Sequence, residues 1–279
     1  MKKLTKVIMS GATVAALGAT MAFGLAGCGG DGLEINISGS TSMYEVMGLL
    51  ADRFAQEYEE ANGQTVTINI GGGGSGVGIE DAQEGRMDFG MASRVLDEDE
   101  LETLEYQNIC IDGIAVVVNP NCELTNVTQA ELKALYEQGT AIGSVVAALS
   151  REEGSGTRDG FEDIVDIETL YTGTGFSVHG STDEVKTLIA DDDDGEMLGY
   201  ISLGAVDSSV KALQYEGVEA NEANILNGTY ELSRPFVICY QSYEGLSDIT
   251  KEFIEFIMGT EGQTLLEEEG YVSEVLNNN

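Results

Sequence analysis

The chain has 279 residues, 42% hydrophobic and 22% charged, which places it among globular proteins with material for one or two domains and excludes a disordered polar tract. Acids outnumber bases 49 to 13, for a formal net charge of -36, which argues against nucleic acid or an anionic lipid surface as a partner. Glycine reaches 36 residues but falls in short turns without a fixed period, so collagen-like and linker compositions are excluded as well.

Residues 1–27 read as a leader. Lys2, Lys3 and Lys6 form a positive start, an apolar stretch runs from Val7 to Ala26, and "LAGC" closes it at Cys28. The small residues before Cys28 resemble a bacterial lipobox. In that class the leader is cut before the cysteine, and the cysteine carries lipid such as palmitate. The other reading is an uncleaved anchor helix, because the apolar run is nearly long enough to span a bilayer. Residues 28–32 follow as a lipid-anchored spacer. The leader holds three lysines and no acids, so its removal leaves the mature chain still more acidic.

From Leu33 onward the periodicities alternate. "LEINISGSTS" reads as a strand, Leu33 to Ile37, running into a polar turn. Met43, Met47, Leu50, Phe54 and Tyr58 recur at helical spacing and mark one apolar face. "QTVTINI" alternates and is β-branched, as a strand is, and "GGGGSGVG" interrupts it. "IEDAQEG" is a short helix, "MDFGMAS" a short strand and "LDEDELETL" the acidic start of a helix. "NICIDGIAVVVNP" is almost continuously apolar, as a buried strand should be, and Pro120 ends it.

Thr128 and Glu131 then stand at capping-box spacing in the helix "TQAELKALYEQG". "SVVAALS" is a strand, "TDEVKTLIA" a helix, "MLGYISLG" a strand and turn, and "VKALQY" and "RPFVICY" two further strands. "SDITKEFIEFIMG" and "TEGQTLLEEEG" are closing helices. Strands alternating with helices imply an α/β architecture with parallel or mixed sheets. The two long apolar strands are expected to cross between two lobes, one built from 33–118 plus 234–279 and the other from 119–233.

Metal chemistry finds little support. Beyond Cys28 the cysteines are Cys110, Cys122 and Cys239, an odd number that allows at most one internal pair. The sole histidine, His179, reads as an ordinary loop or surface residue, and no Cys-x-x-Cys spacing occurs, so neither a metal nor another cofactor is expected. "DDDD" at 191–194 lacks the interleaved spacing of a calcium loop and reads as a solvated turn.

Four stretches share another design, a strand followed by glycine and hydroxyl residues and then a helix or turn. They are "SGSTS" (38–42), "GGGGSGVG" (71–78), "MASR" (91–94) and "REEGSGTR" (151–158). The first N–H groups of a helix lack internal partners and carry partial positive charge, so such ends bind phosphate, sulfate or carboxylate. Arginine adds a fork that pairs with an oxyanion through two hydrogen bonds. Singly, each stretch reads as an N-cap or a turn, and the glycine run lacks the Gly-Lys-Ser/Thr ending of a nucleotide loop. Together they point to one small anion.

"SGSTSM", "GGGGSGVGIEDAQEGRMDFGMASRVL", "IDGIAVVVNP" and "SREEGSGTRDGF" also follow one another in the order and spacing of a known family. The chain resembles the phosphate-binding lipoproteins of the bacterial phosphate ABC transporter, the PstS family, over nearly all of its mature length. The resemblance implies a type II periplasmic-binding-protein fold, two α/β lobes closing on inorganic phosphate. It also implies a lipid anchor on the outer face of the cytoplasmic membrane and delivery to ABC permease subunits. By the same resemblance Thr41, Ser42 and Ser75 donate from the first lobe, Arg151 is the charged clamp, and Ser155, Gly156 and Thr157 donate from the second. Some family members place an Asp where this chain has Ser93, and there it accepts the proton of hydrogen phosphate. Ser93 puts that role in question, Arg94 is a candidate second clamp, and Asp159 or Asp112 is a candidate carboxylate.

Two other readings compete with a phosphate-binding protein. The same fold could take sulfate, molybdate or tungstate. A phosphate-ester hydrolase would need a nucleophile with a base or a two-metal carboxylate cluster, and a single histidine argues against it.

Overall fold

The computed structural model describes residues 33–273. The leader, the spacer and Cys28 lie outside the described residues. Strand β1 (Leu33–Gly39) leads to helix α1 (Tyr44–Asn62), β2 (Val66–Gly71) to α2 (Ser75–Gln83), and β3 (Phe89–Ala92) to the long β4 (Glu105–Val118). Then come β5 (Asn126–Val127), α3 (Gln129–Gln138), β6 (Ala147–Arg151), α4 (Gly156–Val165), β7 (Phe176–His179), α5 (Thr182–Ala190) and β8 (Met197–Ser202). Short β9 (Lys211–Ala212), β10 (Gln214–Tyr215) and α6 (Glu222–Leu226) precede β11 (Ser233–Tyr240), α7 (Asp248–Met258) and α8 (Thr260–Glu268).

The main sheet runs β2-β1-β3-β11-β4-β8-β6-β7, with β9 also on β4, and β10 pairs with β5 apart from it. β1 is parallel to β2 and β3, and β6 is parallel to β7 and β8, while β11 and β8 meet β4 antiparallel. Along one edge and the other, β4 changes partner between its two halves. Residues Glu105 to Gly113 pair with β11, and Ile114 to Val118 pair with β8.

Two large apolar cores lie on either side of that change of partner. Ile35, Ile37, Leu50, Phe54, Phe89, Phe236 and Phe253 belong to one. Ile114, Val116, Val118, Leu135, Tyr136, Phe161 and Tyr200 belong to the other. Ala115 and Val117, the alternate residues of β4, face a third cluster with Leu149, Val185 and Ile201. Successive side chains of a strand point to opposite faces, so both faces of this segment are buried. That is why its sequence shows no polar alternation.

Local chemistry explains where the structure departs from sequence expectation. The acidic "LDEDELETL" segment forms only a single 3-10 turn at Glu100–Glu102. The Glu100 carboxylate accepts from Arg94 at 2.7 and 2.8 Å and from the Asp97 N–H at 2.7 Å, which ties the segment into a loop. "VKALQY" is divided between β9 and β10, because Leu213 between them donates its N–H to Val116 O. The helix expected at "IEDAQEG" begins earlier, at Ser75. The Thr128–Glu131 capping box is present in both directions. Asp192 in the acidic run is buried and accepts from the Met197 N–H at 2.7 Å, so this turn is only partly solvated. Cys110, Cys122 and Cys239 are all buried thiols, and none is in a disulfide among the described residues.

An aromatic stack fixes the turn before α4. Phe161, from α4, stacks on Tyr200 of β8 with ring centroids 4.0 Å apart, and Tyr136 packs against both. The Tyr200 hydroxyl lies 2.8 Å from Ser150 Oγ and accepts from the Arg151 N–H at 3.2 Å. Removing the Phe161 ring should cost about 3–5 kcal/mol. Urea unfolding of Phe161→Ala checks this, and a loss below about 1 kcal/mol would show that the stack is dispensable.

Asp112 of β4 and Arg234 of β11 stand opposite each other in the ladder, and their side chains pair at 3.1 Å with almost no exposure. Asp112 also accepts from Ser202 Oγ at 2.8 Å. Burial raises its carboxyl above the ordinary value despite the facing guanidinium, and burial lowers Arg234. Truncating one partner strands the other charge in the interior. Asp112→Ala should therefore lose about 3–5 kcal/mol in the same unfolding measurement, and a neutral result would contradict that pairing.

Candidate functional site

Three helix N-termini and the turn after β1 meet at one buried polar cluster. At β1, Gly39 has φ 135, a conformation that L side chains rarely adopt, and a Cβ there would stand 2.2 Å from Met91 O. The turn beyond it carries Ser40, Thr41 and Ser42. Helix α2 starts at Ser75 behind Gly74, without a side-chain cap. Helix α4 starts at Gly156, capped by Ser155, and α5 starts at Thr182, capped by Ser181.

Hydrogen bonds show the convergence. Ser42 Oγ lies 2.8 Å from Thr157 Oγ1 and 3.1 Å from Thr182 Oγ1. Ser75 Oγ accepts from Ser93 N–H at 3.0 Å and from Gly156 N–H at 3.3 Å, and it lies 3.1 Å from Ser93 Oγ. Ser40 Oγ donates to Ser93 Oγ at 2.9 Å. A Cβ on Gly156 would sit 2.6 Å from Ser75 Oγ, so no side chain fits where α4 approaches α2. The backbones close the gap as well, with Gly76 N–H donating to Gly154 O at 3.0 Å.

Among the described residues, Arg151 is the one cation inside this group by hydrogen bonding. It is 1% exposed at the end of β6. Its Nη2 donates to Thr41 Oγ1 at 2.9 Å and its Nη1 to Thr182 Oγ1 at 3.1 Å. The Glu152 carboxylate accepts from Nε and Nη2, both at 2.8 Å. The local charge is thus nearly balanced, and what the cluster offers is oriented hydroxyls and helix N-termini. Such a group holds a small oxyanion with little net countercharge.

Of the residues expected from sequence, Thr41, Ser42, Ser75, Ser93, Arg151, Gly156 and Thr157 are joined by these bonds. Ser155 is buried at the α4 cap, where its Oγ accepts from Arg158 N–H at 3.4 Å. Arg94 stands apart. Its guanidinium pairs with Glu100 at 2.7 Å and Asp159 at 3.3 Å and donates to Val95 O. Hydrogen bonding to Glu100 raises its pKa, so its fork is already engaged by carboxylates. Asp159 and Asp112, the candidate carboxylates, are held by Arg94 and Arg234. Burial raises Asp159 above the ordinary carboxylate value. His179 ends β7 and bonds Ser177 and Glu184 at 2.8 and 3.0 Å.

Sequence reasoning missed Ser40, Thr182 and Glu152. Thr182 had a readable signal, because "VHGST" before α5 repeats the strand, glycine and hydroxyl layout of the other turns. β7 is only four residues long, too short to mark the preceding segment as a strand from sequence. Among the described residues, no three His, Cys, Asp or Glu side chains gather as a metal site.

Comparison with known proteins places the fold. A family model described as a PBP superfamily domain matches residues 13–261. The phosphate-binding protein PstS 2 of Streptococcus agalactiae is 38% identical over 133 residues, a match that spans 44% of each chain and so less than half of that relative. A phosphate ABC transporter substrate-binding protein with bound phosphate from Clostridium perfringens is 33% identical, with a TM-score of 0.78 over 86% of this chain and 99% of that one. An ABC-type phosphate transport receptor from Vibrio cholerae is 34% identical, with a TM-score of 0.68 over 85% of this chain and 99% of that one. The mixed α/β fold is that of these periplasmic binding proteins. The chain belongs to the PBP superfamily and, within it, to the phosphate-binding proteins of PstS type.

Proposed function

We propose that this protein captures inorganic phosphate in a cleft between two lobes, 33–118 with 234–279 and 119–233, and delivers it to the permease of an ABC transporter. It is held at the outer face of the bacterial cytoplasmic membrane by lipid on Cys28, after removal of residues 1–27. The observation that carries this reading is the meeting of Thr41, Ser42, Ser75, Ser93, Thr157 and Thr182 around Arg151 (with Ser155 and Gly156 at the α4 start). Support for the ligand comes from the phosphate bound by the Clostridium perfringens relative. Arg94 lies outside the anion shell in this reading and bridges the lobes through Asp159.

Binding of this kind needs no chemistry. Hydrogen bonds to a charged group contribute roughly 1.5–3 kcal/mol each, and micromolar affinity corresponds to about 8 kcal/mol, so a handful of donors suffices after closure costs. The protein acts as a carrier in this reading, as the transport proteins it matches at 33 and 34% identity support.

Arg151→Ala should weaken phosphate binding at least about a hundredfold, near 2.7 kcal/mol, while the protein still folds cooperatively. Calorimetric titration with phosphate checks it, and retained tight binding would place the clamp elsewhere. A second expectation concerns rate. A formal charge of -36 repels an anion at long range, and salt screens that repulsion over about 8 Å at physiological strength. Stopped-flow association of phosphate should therefore speed up as sodium chloride is added, and a rate that falls with salt would contradict it.

A further inference from the structure

Side-chain contacts between residues 33–118 and 119–233 are of two kinds. Ser42 meets Thr157 and Thr182, Ser75 meets Gly156, and Arg151 meets Thr41. All of these belong to the buried cluster, so an anion held there would exchange such bonds for bonds to itself. The contact of Arg94 with Asp159 is of the other kind. Among the described residues it is the one ion pair between 33–118 with 234–279 and 119–233, and it lies outside the cluster.

Arg94 divides its donors between the two sides. Nη1 and Nη2 donate to the Glu100 carboxylate at 2.8 and 2.7 Å, and Nη1 also to Val95 O at 2.9 Å, all within its own lobe. These bonds fix the plane of the guanidinium. Nε faces the other lobe, where Asp159 Oδ2 stands 3.3 Å away. Arg158, the cation next to Asp159, is paired with Glu162 at 2.7 Å. A groove runs along this place, lined by Arg94, Val95 and Leu96 from one side and by Asp159, Gly160 and Asp163 from the other. The pair therefore joins the lobes where apolar packing is interrupted. Its side chains are 17% and 42% exposed, so its strength is that of a partly solvated pair.

Both ends are tied to the cluster. Ser93, which bonds Ser75, directly precedes Arg94. Asp159 lies in the first turn of α4, the helix that Gly156 and Thr157 open. We propose that Arg94 and Asp159 are positioning residues, an interlobe latch that holds the start of α4 against Ser75 and Ser93 and slows phosphate release without touching the anion. This rests on the phosphate-binding reading above. Asp159 acts on a bound anion in two opposed ways. Its charge near the N-terminus of α4 repels the anion, so by charge alone its removal tightens binding. Its pairing with Arg94 holds the lobes together, so by the latch its removal loosens binding. The sign of the change separates the two.

The test is stopped-flow measurement of phosphate association and release, at one pH and ionic strength, for the wild type, Asp159→Asn, Arg94→Gln and the double variant. Asp159→Asn should release phosphate about three to five times faster, with association changed by less than about twofold. Arg94→Gln should also release faster. Because it frees Glu100 as well, the double variant carries the comparison, and it should release no faster than Arg94→Gln alone. Slower or unchanged release in Asp159→Asn would leave only the charge effect and overturn the proposal. A double variant whose acceleration is the product of the two single ones would overturn it too, since the residues would then act independently. A wild type that binds no phosphate would instead remove the phosphate reading itself.

Discussion

The site depends on one buried guanidinium. Arg151 sits at the end of β6 with 1% exposure, and a charge in that position is tolerable only if it is fully hydrogen-bonded. Thr41, Thr182 and Glu152 supply those bonds. Thr41 comes from the turn after β1 and Thr182 from the start of α5, so satisfying one arginine draws elements from distant parts of the chain together. The aromatic stack of Phe161 on Tyr200 holds the strand and helix on either side of that arginine, and the Tyr200 hydroxyl bonds its backbone.

Charge and ligand are reconciled at short range. The chain is strongly acidic, yet the cluster presents N–H groups, hydroxyl protons and one paired cation. Helix N-termini act within a turn of their ends, while surface acids are screened over a comparable distance. On the proposed reading, the acidic surface affects how fast an anion arrives more than how well it is held. Outside the cluster, arginines are matched by carboxylates, as Arg94 is by Glu100 and Asp159. Arg94 has little capacity left for a ligand, whereas Nε and Nη1 of Arg234 are buried without a hydrogen-bond partner.

Much of the fold was legible because burial leaves a pattern. The unbroken run Ile114 to Val118 announced a strand covered on both faces, and the Met43, Met47, Leu50, Phe54 series announced α1. Turns rich in glycine and hydroxyls marked four of the approaches to the site. What stayed hidden was pairing. Nothing in "MASR" says that Ser93 turns inward while the next residue, Arg94, turns to Glu100, since strand alternation sends neighbours to opposite faces only once the strand's orientation is known. Glu152 was hidden for the same reason: beside Arg151 and Glu153 it reads as one more acid in an acidic chain. The leader and lipid anchor expected from sequence fall outside the described residues.

The central claim is that the cluster around Arg151 is where the anion sits. A crystal structure of the mature chain grown with phosphate tests it most directly. The account predicts one tetrahedral anion enclosed by Thr41, Ser93, Arg151 and the starts of α2, α4 and α5. Phosphate found instead in the groove lined by Arg94, Asp159 and Arg234, with the cluster's hydroxyls still paired to one another, would contradict it.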